Sequence, residues 1–180
     1  EKRVVVTGFG VVTPIGTGVE KFYENLKKGT NGIQPIKSFD PSIYRTKVAG
    51  EVKDFNAEDY IPKDHIKYMG RASQFAVAAT KMALEMSGLD TNKYDPYNIA
   101  VSVGTTMGEP QILEQSIDIM MNDSLSAVPK DLPIQYPTNN IPANIAREYG
   151  FKGINIIIPT ACAAGNYAIG YGSDLIRLGR

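Results

Sequence analysis

Three short runs, Val4–Val6, Ile99–Val103 and Ile154–Ile158, are apolar at almost every position rather than at alternate ones. A strand with one wet face alternates, so runs of this kind belong to strands buried on both faces. Such strands need a layer above and a layer below. The segments between them carry helical periodicity. Val19, Phe22, Tyr23 and Leu26 fall at i, i+3, i+4, i+7, with Gly29 placed as a C-terminal cap. Ala72, Phe75, Ala76, Ala79, Met82, Ala83 and Met86 keep the same spacing up to Gly88, and the many alanines imply close packing on that face. Further helices are expected over Gln111–Met121, over Ile141–Tyr149 with Asn140 as its cap, and from about Cys162 to Leu178. Residues 30–60 read as loops and short strands, and Ala127–Pro142, with four prolines, as an irregular loop. Strands alternating with helices predict an α/β fold with a sheet covered on both faces.

The whole chain bounds the function. It has 180 residues, 43% hydrophobic and 21% charged, enough for one domain with a real core. Nineteen basic and nineteen acidic residues cancel, so nothing in the net charge points to nucleic acid or an anionic membrane. No run approaches the roughly 20 apolar residues that span a bilayer. The opening Glu1-Lys2-Arg3-Val4-Val5-Val6 reads as a strand rather than a secretory leader, and a cytoplasmic protein is expected. One cysteine and one histidine allow neither an internal disulfide nor a standard zinc site.

That cysteine, Cys162, sits where an apolar run breaks into small residues. A thiol at a helix start faces unpaired backbone N–H groups that favour negative charge on sulfur and offer donors to an anionic intermediate. Ala161, Ala163, Ala164 and Gly165 leave room for a substrate. Gly165, Gly170 and Gly172 each cost a helix about 1 kcal/mol relative to alanine, so packing or function overrides local propensity there. On position alone, a nucleophile and a small buried hydrophobe are equally well supported. Nucleotide readings fail. Gly8-Phe9-Gly10 begins like a dinucleotide fingerprint, but Thr13 stands where the third glycine belongs. Gly104–Gly108 lacks the Gly-Lys-Ser/Thr ending of a phosphate loop.

Thr160-Ala161-Cys162-Ala163-Ala164-Gly165-Asn166, continued by Ala168-Ile169-Gly170 and Asp174-Leu175-Ile176-Arg177-Leu178-Gly179-Arg180, resembles the active-site segment of the β-ketoacyl-acyl-carrier-protein synthases. Arg3 to Gly16, Phe39-Asp40, Val52-Lys53-Asp54-Phe55, Gly104-Thr105-Thr106-Met107-Gly108 and Tyr149-Gly150-Phe151-Lys152-Gly153 resemble further family motifs, in family order across the whole chain. The similarity is greatest to the elongating condensing enzymes of dissociated fatty-acid synthesis. Polyketide ketosynthases commonly have serines where this chain has Ala163-Ala164.

The resemblance implies a thiolase-like fold, with residues 1–180 as the N-terminal ketoacyl-synthase domain of a layered αβαβα architecture, stopping before that half's last strands. It implies that Cys162 accepts an acyl group from a carrier thioester, its own N–H serving as an oxyanion donor, and that decarboxylating malonyl-carrier then attacks the acyl-enzyme. Met107 and Gly108 would line the acyl pocket, although Met107 alone reads equally well as an ordinary core methionine. Lys63 and Lys67, with Lys130 as a weaker member, would meet the acidic acyl carrier protein; on spacing alone they are a solvated face. A homodimer is implied for the full protein, with Gln135-Tyr136-Pro137 reaching the partner subunit's pocket and Ile154–Ile158 near the two-fold axis. Neither cofactor nor metal is called for. The family's paired histidines have no counterpart here. His65, in a polar stretch, reads as a solvated surface residue, so the chain alone is expected not to complete condensation. A polyketide ketosynthase, a chain-length partner subunit and a coenzyme A-dependent acyltransferase are the alternatives; chain-length partners usually lack the cysteine.

Overall fold

A computed structural model describes residues 3–180; Glu1 and Lys2 of the opening run lie outside the described residues. Along the chain come β1 (Val12–Thr13), β2 (Gly16–Thr17), α1 (Val19–Lys27), β3 (Gln34–Pro35), β4 (Val48–Ala49), α2 (Lys63–Ile66) and α3 (Arg71–Ser87). They are followed by β5 (Val101–Gly104), α4 (Pro110–Asn122), α5 (Asn140–Tyr149), β6 (Asn155–Ile158) and α6 (Ala164–Arg177), with single-turn 3₁₀ segments between. β5 and β6 pair in parallel, Val101 against Asn155 through Gly104 against Ile158. β1–β2 and β3–β4 are two-residue antiparallel pairs.

The two faces of the β5–β6 pair are covered by different helices, as the apolar runs require. Side chains alternate along a strand. Val101 and Val103 therefore share one face, where they pack with Ile61, Met69, Val77 of α3 and Ile145 of α5. Ser102 and Gly104 share the other: the Ser102 hydroxyl donates to the Ala168 carbonyl of α6 at 3.1 Å, and a Cβ on Gly104 would lie 2.2 Å from the Ala164 carbonyl oxygen. Only a glycine lets α6 approach the strand end so closely. On the first face the Tyr149 hydroxyl donates to the Val77 carbonyl at 2.9 Å, tying α5 to α3. Burial, followed by the nearby Glu148 and Glu85 carboxylates, pushes the Tyr149 phenol well above its ordinary range, which keeps it a donor.

Five helices lie where the periodicity puts them, α1 and α3 to α6, and α3 ends at Gly88 in the left-handed conformation. The alanine face of α3 packs closely, though not on the deepest core. A Cβ on Gly10 would stand 2.0 Å from the Ala79 carbonyl oxygen, and one on Gly8 2.2 Å from that of Ala83. The opening segment thus lies backbone to backbone along that face. The expected strand over Val4–Val6, however, forms no ladder among the described residues, and Val5 and Val6 are 63% and 78% exposed. Among the described residues its apolar run has no neighbouring strand to pair with. Two helix starts also differ. Asn140 lies inside α5, its amide donating to the Ile134 carbonyl rather than capping the helix. α6 begins at Ala164, not at Cys162.

Among the described residues no helix is long and apolar enough to cross a membrane, and no group of three or more His, Cys, Asp or Glu side chains could hold a metal ion.

Candidate active site

Because β5 and β6 run parallel and side by side, their C-terminal ends deliver two loops to one edge of the sheet, where open α/β sheets bind their ligands. One loop is Thr105–Glu109, leading into α4. The other is Pro159–Ala163, leading into α6. Cys162 is exposed at the centre of a 3₁₀ turn, Ala161–Ala163, so the residue at which the sequence placed the helix start lies in the turn two residues before α6 begins.

That turn is closed by Ala163 N–H donating to the Thr160 carbonyl at 3.1 Å and by Ala164 N–H donating to Ala161. The Cys162 amide makes neither bond, and no side chain caps the start of α6. The Cys162 amide is thus left outside the two bonds that close the turn, and a backbone N–H of this kind can serve an oxyanion.

The residue before the cysteine is unusual. Ala161 has φ +48°, the one described non-glycine residue with positive φ. A left-handed alanine costs on the order of 1–2 kcal/mol. Its N–H is held by the Thr106 hydroxyl oxygen at 2.8 Å across 55 residues of sequence, and one such bond contributes about 1 kcal/mol, enough to offset much of that cost. The two loops are thus joined at the residue that aims the thiol.

The first loop is anchored in turn. Glu109 is fully buried, its two carboxylate oxygens accepting the Ala72 and Ser73 N–H groups at 2.9 and 2.7 Å. These are orphan donors of the α3 N-terminus, which has no side-chain cap of its own. Gly70 makes room: a Cβ there would lie 2.3 Å from the Glu109 carboxylate carbon. Beneath, the Asn144 amide donates to the Ser73 hydroxyl at 3.1 Å. Gly108, at φ +64°, turns the chain into this anchor with the Thr138 methyl where its Cβ would be.

Met107 and Gly108 therefore share the loop that holds Ala161. Met107 is 68% exposed in this chain, so it is not a core methionine. A groove of about 520 Å³ runs from Ile158 along α6, lined by Asn166, Tyr167, Gly170, Tyr171 and Asp174; its lining does not include Met107 or Gly108. Lys63 and Lys67 lie together, at the start and the C-terminal cap of α2. Lys63 pairs with Glu58 at 3.7 Å, and the Lys67 ammonium sits over the Tyr68 ring at 4.8 Å, held above its ordinary range first by its bond with Tyr68. Lys130 is exposed in the proline-rich segment. His65 is exposed, as the sequence suggests, and is also engaged: its Nδ1 lies 2.7 Å from a Glu148 carboxylate oxygen, linking α2 to α5.

Sequence reasoning did not single out Thr106 or Glu109. Glu109 had a readable signal, an acid directly after a glycine turn in a chain whose Gly70-Arg71-Ala72 helix start lacks a capping side chain. Thr106 had none, since its partner is a backbone group brought near only by the parallel pairing.

A thiolase-like α/β layer structure with a cysteine in a tight turn at the end of a parallel strand defines a class, the condensing-enzyme domains. The model of the beta-ketoacyl synthase N-terminal domain matches residues 1–180, and the chain belongs to that family. It is 36% identical over 99% of its length to 3-oxoacyl-[acyl-carrier-protein] synthase 2 of Synechocystis sp., covering 43% of that protein. Among solved structures, the ishigamide ketosynthase/chain length factor matches with a TM-score of 0.88 and 37% identity, over 97% of this chain and 44% of that one. A beta-ketoacyl synthase from Burkholderia phymatum matches with a TM-score of 0.81 and 27% identity, over 99% and 44%. The chain thus spans less than half the length of these relatives.

Proposed function

We propose that Cys162 is the acyl-accepting nucleophile of a β-ketoacyl-acyl-carrier-protein synthase. The observation that carries the reading is the Cys162 turn itself: an exposed thiol that follows a left-handed Ala161, with its own amide outside the two bonds that close the turn. The sulfur attacks the carbonyl of an acyl-carrier thioester, a tetrahedral oxyanion forms against the Cys162 amide, and the carrier thiol leaves as the acyl group passes to Cys162. In the second half-reaction malonyl-carrier loses carbon dioxide, and its carbanion displaces the cysteine sulfur from the acyl group. The family's histidine-assisted decarboxylation is not supplied by residues 1–180, whose one histidine is engaged with Glu148. The chain alone therefore carries the first half-reaction only. Met107 and Gly108 bound the acyl chain, Lys63 and Lys67 attract the acyl carrier protein, and a homodimer forms in the cytoplasm.

A polyketide ketosynthase or chain-length partner is the second reading, favoured by the 37% identity to the ishigamide ketosynthase/chain length factor, a value level with that to the Synechocystis 3-oxoacyl synthase. The two synthase readings share the acyl-cysteine.

Intact mass after incubation with a short acyl-carrier thioester tests it, with Cys162→Ala in parallel. The expected result is one acyl adduct on the wild-type chain and none on the variant. No adduct on the wild type, or an adduct that survives the substitution, would overturn the proposal.

A further inference from the structure

We infer that Thr106 is a positioning residue for the Cys162 nucleophile, an inference that rests on the acyl-transfer reading above. The Thr160–Ala161 peptide can in principle rotate as a plate. Rotation changes ψ of Thr160 and φ of Ala161 together, and where the two changes do not cancel it re-aims the next residue, Cys162. Left alone, an alanine prefers negative φ. The Thr106 hydroxyl, accepting the Ala161 N–H at 2.8 Å, fixes the plate in the positive-φ orientation.

Thr106 and Ala161 are both exposed, so water competes for each group and the bond works only if the hydroxyl is held in place. The loop meets that requirement at both ends. Gly104 is paired in β5 against Ile158, and Glu109 is clamped on the Ala72 and Ser73 amides. Between these anchors Gly108 is seated against Thr138. The hydroxyl is thus presented from the rigid α3 side of the molecule to the nucleophile turn on the α6 side. Among the described residues no other side chain accepts the Ala161 N–H.

The experiment compares wild type, Thr106→Val and Thr106→Ser. Valine keeps the shape and removes the acceptor; serine restores it. Two rates are read on Cys162, the single cysteine of the chain: alkylation by iodoacetamide and acylation by a short acyl-carrier thioester. Thermal melts accompany both. The expected result for Thr106→Val is a loss of roughly tenfold in both rates at an unchanged melting midpoint, within the range that a misplacement of about an ångström produces. Thr106→Ser should come within about twofold of wild type, since it returns the acceptor. A valine variant that reacts like wild type, or a serine variant as slow as valine, overturns the inference. Failure of the underlying reading looks different. If the wild type takes no acyl group but the valine variant still slows alkylation and serine rescues it, the positioning role stands and acyl transfer falls.

Discussion

Between Arg3 and Asp54 no described side chain belongs to the buried apolar set; from Phe55 onward the chain supplies all of it. The first region is not poor in apolar residues. Val5, Val6, Phe9, Tyr23, Leu26 and Ile33 are there, each more than half exposed, and α1 carries its apolar stripe without a buried residue. The second region has a helix to pack on. One side of α3 presents Ser73 and Val77 to α5 and the sheet; another presents Ala79 and Ala83 to the backbone of Gly8 and Gly10. The difference teaches that an apolar pattern is only a capacity for burial. Where α3 offers a side-chain surface the capacity is used, and where it offers a narrow alanine face only glycine backbone fits.

The contrast breaks most easily at Ile61, 2% exposed in the cluster with Met69, Val77, Val101 and Ile145. Ile61→Ala should cost about 2–5 kcal/mol in urea unfolding, while Val6→Ala stays within about 0.5 kcal/mol. Equal costs would mean that the opening segment belongs to the same cooperative core. Gly10→Ala sharpens the comparison at lower energy. Its Cβ would meet the Ala79 carbonyl, a main-chain atom that cannot swing away, and overpacking of this kind costs about 1–3 kcal/mol. The expected signature is local: faster proteolysis before Val19 with the melt of the α3–α5 core little changed. A uniform loss of stability would show that the two regions unfold as one.

The helices of the second region were legible because their apolar periodicity coincides with a partner. α3 is the clearest case, with its stripe and its Gly88 stop both in register with the structure. Val4–Val6 was misread for the converse reason: its composition fits a doubly buried strand, but strand pairing depends on a neighbour that no local pattern specifies. At the site, small residues around Cys162 correctly marked a turn under a helix start. The offset of α6 to Ala164 follows from the left-handed Ala161, which tightens the first turn into a 3₁₀ segment; alanine gives no sequence sign of that conformation. The Thr106 and Glu109 contacts were hidden for a third reason. Each joins a side chain to backbone amides 36 to 55 residues away, and backbone partners leave no residue signature.

The smallest effect lies in the first region, which is held by polar contacts more than by burial. The Glu51 carboxylate accepts the Lys37 and Ser38 N–H groups at 2.9 and 3.0 Å, just beyond the β3–β4 pair. The Ser38 hydroxyl first, and then those two amides, pull its pKa below the ordinary 4.5. A carboxyl whose pKa is lowered by folding stabilises the fold above its unfolded value, and that contribution disappears as pH falls through the lower folded value. Glu51→Gln removes the charge. Hydrogen exchange at the Lys37 and Ser38 amides should therefore be faster in the variant at pH 6, and the gap should close as pH falls below 4.5. A gap that persists in acid would mean that shape, not charge, holds this turn. The first region would then depend on packing after all, and the division at Asp54 would lose its physical basis.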